Sequence, residues 1–219
     1  IPTFLHEQNA FPGVTIKLLS KKADVVFLAF GEAKAHLPTE RPCVVVGNPV
    51  RQEFLTATRA EARKKLGLDD AFTIFSVGGS SGANAINKMA ADIMAWHCKE
   101  GKINHIHGYG KHGRENFPKM LEERGIDLND YPRIQAREYI DDMALWTAAA
   151  DLVISRAGAI TISELEVLGK PSILVPYPYA AENHQYHNAK VLEDHRAAIL
   201  VEEKDYSKEA IIERIEELY

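Results

Sequence analysis

Short apolar runs alternate with amphipathic stretches along almost the whole chain. The runs are Thr3–Leu5, Asp24–Ala29, Cys43–Val46, Phe72–Val77, Ile103–His107, Arg133–Gln135, Asp151–Ser155, Pro171–Val175 and Ala198–Val201. They are β-branched and often closed by Gly or Pro, which predicts strands buried on both faces, as in a parallel sheet. Between them, Ile86, Met89, Ala90, Ile93 and Met94 recur on one stripe of Ala83–Lys99, the pattern of an amphipathic helix. Gly13–Lys22, the charged stretch Arg51–Leu66, Asn183–Asp194 and Ser207–Leu218 also read as helices. Regular β–α alternation predicts an α/β fold whose parallel strands are joined by right-handed crossovers.

A boundary is expected at Gly47-Asn48-Pro49, where a strand ends and Pro49 disfavours helix at Asn48. Residues 1–47 hold three strands and one helix, too little for a self-sufficient domain, whereas residues 48–219 have enough elements to fold alone. The chain opens at Ile1-Pro2, already beside an apolar run and without an initiator Met, which reads as a chain shortened at its front.

Composition narrows the function classes. Lys and Arg number 26 against 31 Asp and Glu, a net charge of −5, so no basic excess points to nucleic acid. Two cysteines, Cys43 and Cys98, lie far apart and suit a reduced compartment better than a disulfide scaffold. No apolar run approaches the ~20 residues of a membrane span.

Candidate chemistry gathers where strands run into helices. Ser76-Val77-Gly78-Gly79-Ser80-Ser81-Gly82-Ala83 joins a strand to a helix through glycines that let a ligand approach the backbone, with Ser80 adding a hydroxyl. A tight turn without a ligand is the plainer reading. The spacing is not GxGxxG, so a dinucleotide fingerprint is not supported. A second junction runs from Ser155 through Gly158 to Glu164. There the first-turn amides of Ala159 and Ile160 are free for a phosphate, and Glu164 is placed to accept both hydroxyls of a ribose. Taken alone, Glu164 reads better as one more solvated helix carboxylate. Two such junctions in one α/β unit point to a nucleotide diphosphate at the carboxyl ends of the strands.

The loop from Pro176 leads to His184, Gln185 and Asn188, polar groups able to read sugar hydroxyls. His184 and His187 have i, i+3 spacing but no evident third metal ligand. His105 and His107 read as structural. Asp141-Asp142 is similar to metal-holding acidic pairs, yet at a helix start its expected role is capping. His6-Glu7-Gln8-Asn9 ends the first strand, either as a general-base pair or as a plain polar loop.

Together HEQN (6–9) with PG (12–13), GNPVR (47–51), GGSSGANAIN (78–87), YIDDM (139–143), SRAGAITISEL (155–165) and HQYHNA (184–189) resemble the MurG family in order and spacing. The resemblance covers nearly the whole chain. It implies a Rossmann-like C-terminal half of a B-type two-domain glycosyltransferase fold, inverting, with UDP-GlcNAc as donor, no cofactor and no catalytic metal. The family converts lipid I to lipid II in peptidoglycan synthesis, as a peripheral enzyme on the cytoplasmic face of the plasma membrane. By motif, Glu164 would bind the ribose, and Ile140 and Met143 the uracil. Ser80 and the amides of Ala159 and Ile160 would hold the diphosphate, with Gly78, Gly79 and Gly158 shaping the loops and Arg51 nearby. Asn9 and Gln185 would read GlcNAc with His184 and Asn188, and His6 and Glu7 match residues near the reaction centre. His184 stands where some relatives carry Gln. The family's Gly-rich opening motif and closing helix have no counterpart here. Residues 1–47 are therefore expected to be the last part of an acceptor domain, and the fragment to bind donor without turnover. The alternatives are a glycolipid-forming transferase using another UDP-sugar, and an isomerase of the UDP-GlcNAc 2-epimerase kind.

Overall fold

The computed structural model describes residues 1–219. Phe4–Glu7 (β1), Val25–Leu28 (β2) and Cys43–Val45 (β3) form a small sheet in that order. Thr73–Val77 (β4), Asn104–Gly108 (β5), Ile134–Arg137 (β6), Leu152–Ser155 (β7), Ser172–Leu174 (β8) and Ala198–Leu200 (β9) form a larger sheet. Its order is β6-β5-β4-β7-β8-β9. Every pairing is parallel, as the continuous apolar runs predict.

The helices are Val14–Ser20 (α1), Gln52–Thr56 (α2), Arg59–Leu66 (α3), Asn84–His97 (α4), Gly110–Gly113 (α5), Asn116–Glu122 (α6), Met143–Ala149 (α7), Ala159–Leu168 (α8), His184–Asp194 (α9) and Lys208–Leu218 (α10). One layer sets Ile86, Met89 and Ile93 of α4 and Ile211 and Ile215 of α10 against Ile74, Leu152 and Ile154 of the sheet. The opposite layer sets Trp146 of α7, Ile162 and Leu165 of α8 and Leu192 of α9 against Phe75, Ile106 and Val153. Ala90 and Met94, on the flank of the same α4 stripe, pack instead on Phe117 and Leu121 of α6.

Three local details depart from the sequence pattern. The stretch 51–66 is two helices, because Thr58 adopts an extended backbone and its side chain accepts from the Glu61 amide to cap α3. Helix α9 starts at His184, since Glu182 and Asn183 lie in the left-handed region at φ 53° and 52°. His6 and Glu7 belong to β1, paired with Phe27 and Leu28, rather than to the loop after it.

A buried polar chain crosses the layer between α4 and the sheet. Tyr109 C=O can only accept, so Asn87 gives it its amide N–H (3.1 Å) and turns Oδ1 to His107 Nε2 (3.1 Å). His107 then donates from Nε2 and accepts the Ser76 hydroxyl at Nδ1 (2.8 Å). Ser76 Oγ in turn accepts from His105 Nε2 (2.9 Å), and His105 Nδ1 accepts from His97 Nε2 (3.2 Å). This ordering requires His105 and His107 to be neutral, since each accepts at Nδ1. The approach of His107 Nδ1 to the Ser76 carbonyl (3.1 Å) then carries no hydrogen, and Nδ1 of the third ring, His97, has no partner. Burial depresses the basicity of all three, to about 4 at His97, about 3 at His107 and well below the usual range at His105. The two histidines of β5 are structural, as their placement in a buried strand suggests.

The small sheet joins the large one through a compact seam. Ala10 and Phe30 enter the apolar cluster beneath α8 and α9. Asn48 Nδ2 reaches Gln8 C=O (3.1 Å) and Ser163 Oγ of α8 (3.1 Å), so the turn before Pro49 is also part of the joint.

Candidate active site

Strands β4 and β7 are neighbours, yet the chain leaves β4 into α4 on one face and β7 into α8 on the other. A crevice opens at such a switch point, outside the carboxyl ends of the strands. The glycine loop forms one wall. A Cβ on Gly78 would sit 2.5 Å from the Ala83 nitrogen, Gly79 has φ +86°, and at Gly82 (φ +84°) a Cβ would strike Tyr109 C=O. The loop therefore needs glycine for close packing at two positions and for conformation at two. The buried histidine chain ends on the same Tyr109 carbonyl, so it backs this wall from within.

The crevice holds a cavity of about 180 Å³, lined among others by Gly79, Ser80, Ile140, Met143, Arg156 and Thr161. Ile140 is buried, whereas Tyr139 beside it is exposed. The Ser80 hydroxyl is free of protein partners. On the opposite wall the amides of Ala159, Ile160 and Thr161 open α8 and donate to no backbone acceptor; Ile162 is the first to do so, to Gly158 C=O (3.0 Å). Gly158 has an ordinary φ of −65° and room for a Cβ, so glycine there is not demanded by conformation.

One turn below these amides, Glu164 is only 8% exposed. The solvated-carboxylate reading is thereby corrected. Its Oε1 pairs with Arg51 Nη2 at 3.2 Å, while Oε2 has no protein partner. Burial raises the Glu164 pKa, and the Arg51 charge opposes that rise.

A second cavity, about 470 Å³, lies at the seam between the sheets and is lined by His6, Glu7, Asn9, Phe11, Glu182 and His184 among others. His6 gives its Nε2–H to Gly47 C=O (3.0 Å), which leaves Nδ1 as an acceptor. Glu7 is not a free base. Its Oε1 accepts from the Asn9 amide (2.8 Å) and Asn9 Nδ2 (3.2 Å), and Oε2 from the Gly13 amide (3.3 Å), so it organises its own loop. Gln185 lines neither cavity, and its Oε1 accepts from the Tyr177 amide at 2.9 Å. Asn188 is fully buried, with both amide hydrogens and its oxygen engaged, and cannot reach a sugar.

Asp142 occupies the position before α7 without a side-chain cap hydrogen bond, so the expected capping role is not realised. His187 stacks on Phe11 with ring centroids 4.5 Å apart. No group of three or more His, Cys, Asp or Glu side chains converges as a metal site would require. Sequence reasoning missed Arg156, which donates to Val175 and Pro176 carbonyls, pairs with Glu203 and lies over the Tyr177 ring. A lone Arg directly after a buried strand, within a run of small residues, was the available signal.

The profile of the "Glycosyltransferase family 28 C-terminal domain" matches residues 73–219. Among curated relatives, the UDP-N-acetylglucosamine–N-acetylmuramyl-(pentapeptide) pyrophosphoryl-undecaprenol N-acetylglucosamine transferase of Desulforamulus reducens is 41% identical, over 100% of this chain and 59% of its own length. The equally named protein of Acetivibrio thermocellus is 44% identical, over 98% of this chain and 57% of its own. The crystal structure of Acinetobacter baumannii MurG superposes with a TM-score of 0.78 at 32% identity, covering 100% of this chain and 58% of that one. Anabaena HepE in complex with UDP and glucose, 17% identical, shares the fold at a TM-score of 0.53, over 93% of this chain and 59% of its own. The chain thus spans somewhat over half the length of these relatives.

Proposed function

The chain belongs to glycosyltransferase family 28 and carries that family's C-terminal domain, and on this premise we propose that it is the donor-binding part of a MurG-type N-acetylglucosaminyltransferase. In this reading residues 48–219 bind UDP-GlcNAc and residues 1–47 are the last part of an acceptor domain. The two sheets and the seam between them support that division. Uracil lies on the Ile140 backbone beside Met143, the ribose hydroxyls on Glu164, and the diphosphate between the Ser80 hydroxyl and the amides of Ala159 and Ile160. Arg51 stands near enough to Glu164 to answer the diphosphate charge. The sugar extends toward the seam, where Asn9 and His184 face the second cavity. Gln185 joins them only by exchanging its bond to the Tyr177 amide.

The observation that carries this reading is the set of unpartnered first-turn amides standing over a buried carboxylate at the switch point. Backbone N–H groups at a helix start favour phosphate, and a half-engaged carboxylate favours vicinal hydroxyls. In the whole enzyme the acceptor hydroxyl of lipid I attacks the anomeric carbon of GlcNAc with inversion, and the bond to UDP breaks. A base takes the hydroxyl proton, and the amide donors stabilise the departing diphosphate. His6, with Nδ1 available, is the candidate nearest the seam. Lipid I and the cytoplasmic membrane surface are the partners this function entails; no helix here is long and apolar enough to cross a membrane.

Calorimetric titration with UDP, UDP-GlcNAc and UDP-glucose tests the proposal. UDP is expected to bind, UDP-GlcNAc more tightly than UDP-glucose, and residues 1–219 alone to give no transfer to lipid I. Failure to bind UDP would refute the donor-site reading. A preference for UDP-glucose would favour a different glycolipid-forming transferase.

A further inference from the structure

Asn9 is the only amide side chain lining the seam cavity that is held from both ends. Its orientation can be traced to backbone groups that have no choice of polarity. The Ala10 amide can only donate, and it donates to Asn188 Oδ1 (2.8 Å). The Ala157 carbonyl can only accept, and it takes one Asn188 Nδ2 hydrogen (3.2 Å). Asn188 must therefore present its other Nδ2 hydrogen to Asn9, which receives it at Oδ1 (3.0 Å). At the far end the Glu7 carboxylate, held by the Asn9 and Gly13 amides, accepts from Asn9 Nδ2 (3.2 Å). An amide clamped between a donor and a carboxylate cannot reverse without setting oxygen against oxygen. One N–H of Asn9 and one lone pair of its oxygen remain available to the cavity.

We propose that Asn188 and Glu7 are positioning residues that set the amide polarity of Asn9, and through it the recognition of the donor sugar, without touching the sugar themselves. Asn188 also anchors Ala157, which immediately precedes Gly158 and the diphosphate-facing start of α8. The sugar end and the phosphate end of the site are thus tied to one buried side chain, across a sequence separation of 179 residues between Asn9 and Asn188. This inference rests on the donor-sugar reading above.

The test is Asn188→Asp, which keeps the shape and the bond from the Ala10 amide but replaces the donor to Asn9 by an acceptor. Asn9 then faces a carboxylate at each end and loses its single orientation. The affinity advantage of UDP-GlcNAc over UDP, measured by calorimetry, is expected to fall about tenfold, the worth of one well-formed polar contact. In a ¹⁵N-labelled chain without ligand, the Asn9 side-chain NH₂ signals, identified by their loss in Asn9→Asp, are expected to shift or broaden. Glu7→Gln, which weakens the other end of the clamp, moves both readouts in the same direction and serves if Asn188→Asp does not fold. An unchanged UDP-GlcNAc to UDP ratio, or unchanged Asn9 signals in a folded variant, overturns the proposal. If the unmodified chain binds neither nucleotide, the donor-site reading fails. The ligand-free spectra then still decide whether Asn188 and Glu7 orient Asn9.

Discussion

Replacing Glu164 by Ala removes the one buried carboxylate beside the unpartnered amides of α8. Its Oε1 is shared with Arg51 at 3.2 Å and its Oε2 has no protein partner, so a ribose can be accepted without first dismantling the wall. Two hydroxyl-to-carboxylate hydrogen bonds at ~1.5–3 kcal/mol each set a ceiling of about 3–6 kcal/mol. Water competes for the hydroxyls in the free nucleotide, and Arg51 keeps part of the carboxylate charge. The Arg51 side chain is 59% exposed, so water replaces its lost partner at little cost. The expected loss of UDP affinity is therefore about 2–4 kcal/mol, roughly 30- to 1000-fold in Kd. Calorimetry with UDP and 2′,3′-dideoxy-UDP reads this directly. The unmodified chain should bind the dideoxy compound as weakly as Glu164→Ala binds UDP, and the variant should show no further loss with it. A Glu164→Ala chain that binds UDP within about threefold of the parent would refute the ribose assignment. The pH dependence has a definite sign. Burial raises the Glu164 pKa, so the ionised acceptor is lost, and UDP affinity falls, as pH drops through that raised value. The same shift means the folded state holds the proton more tightly than the unfolded one. Ionic Glu164 thus costs stability above its folded pKa, and Glu164→Gln should stabilise the empty chain at neutral pH while weakening UDP.

Three further outcomes follow from the same structure. The depressed basicity of His97 (about 4), His107 (about 3) and His105 means the unfolded chain binds more protons below about pH 6.5. Stability is full above that pH and should fall steadily down toward pH 4, seen as a declining urea midpoint; a flat midpoint from pH 7 to 5 would contradict the neutral ordering. Ser76→Ala deletes the hydroxyl between His105 and His107 and leaves buried ring nitrogens unpaired, an expected loss of about 2–4 kcal/mol in denaturant unfolding. Gly78→Ala places a Cβ 2.5 Å from the Ala83 nitrogen and should both destabilise the chain and weaken UDP, whereas Gly158→Ala, with no contact closer than 3.7 Å, should fold normally. Thermal melts with and without UDP separate the two glycines.

Much of the fold was legible along the chain because its signals are local. A strand buried on both faces must be apolar throughout, and β4 and β8 have no exposed residue. Helix α4 declares itself by its stripe, and the Gly78–Gly82 loop by the geometry that only glycine supplies there. Local patterns were also misleading where a neighbour decided the outcome. The stretch 51–66 was broken by the Thr58 cap, His6 and Glu7 were drawn into β1 by pairing with β2, and Asp142 precedes α7 without capping it.

The sequence by itself determined the class of fold, the position of the two glycine-bearing strand–helix junctions and the family. Those depend on residue periodicity and on short motifs whose members lie within a few residues of one another. Only the tertiary structure decided that β4 lies beside β7, which brings Ser80 and the start of α8 to one crevice. It also placed Arg51 against Glu164, 113 residues away, and Asn188 against Asn9, 179 residues away. A carboxylate or an amide has the same local signature whether it meets water or a buried partner. Its burial and polarity are set by strand order and by seam packing, neither of which has a local code.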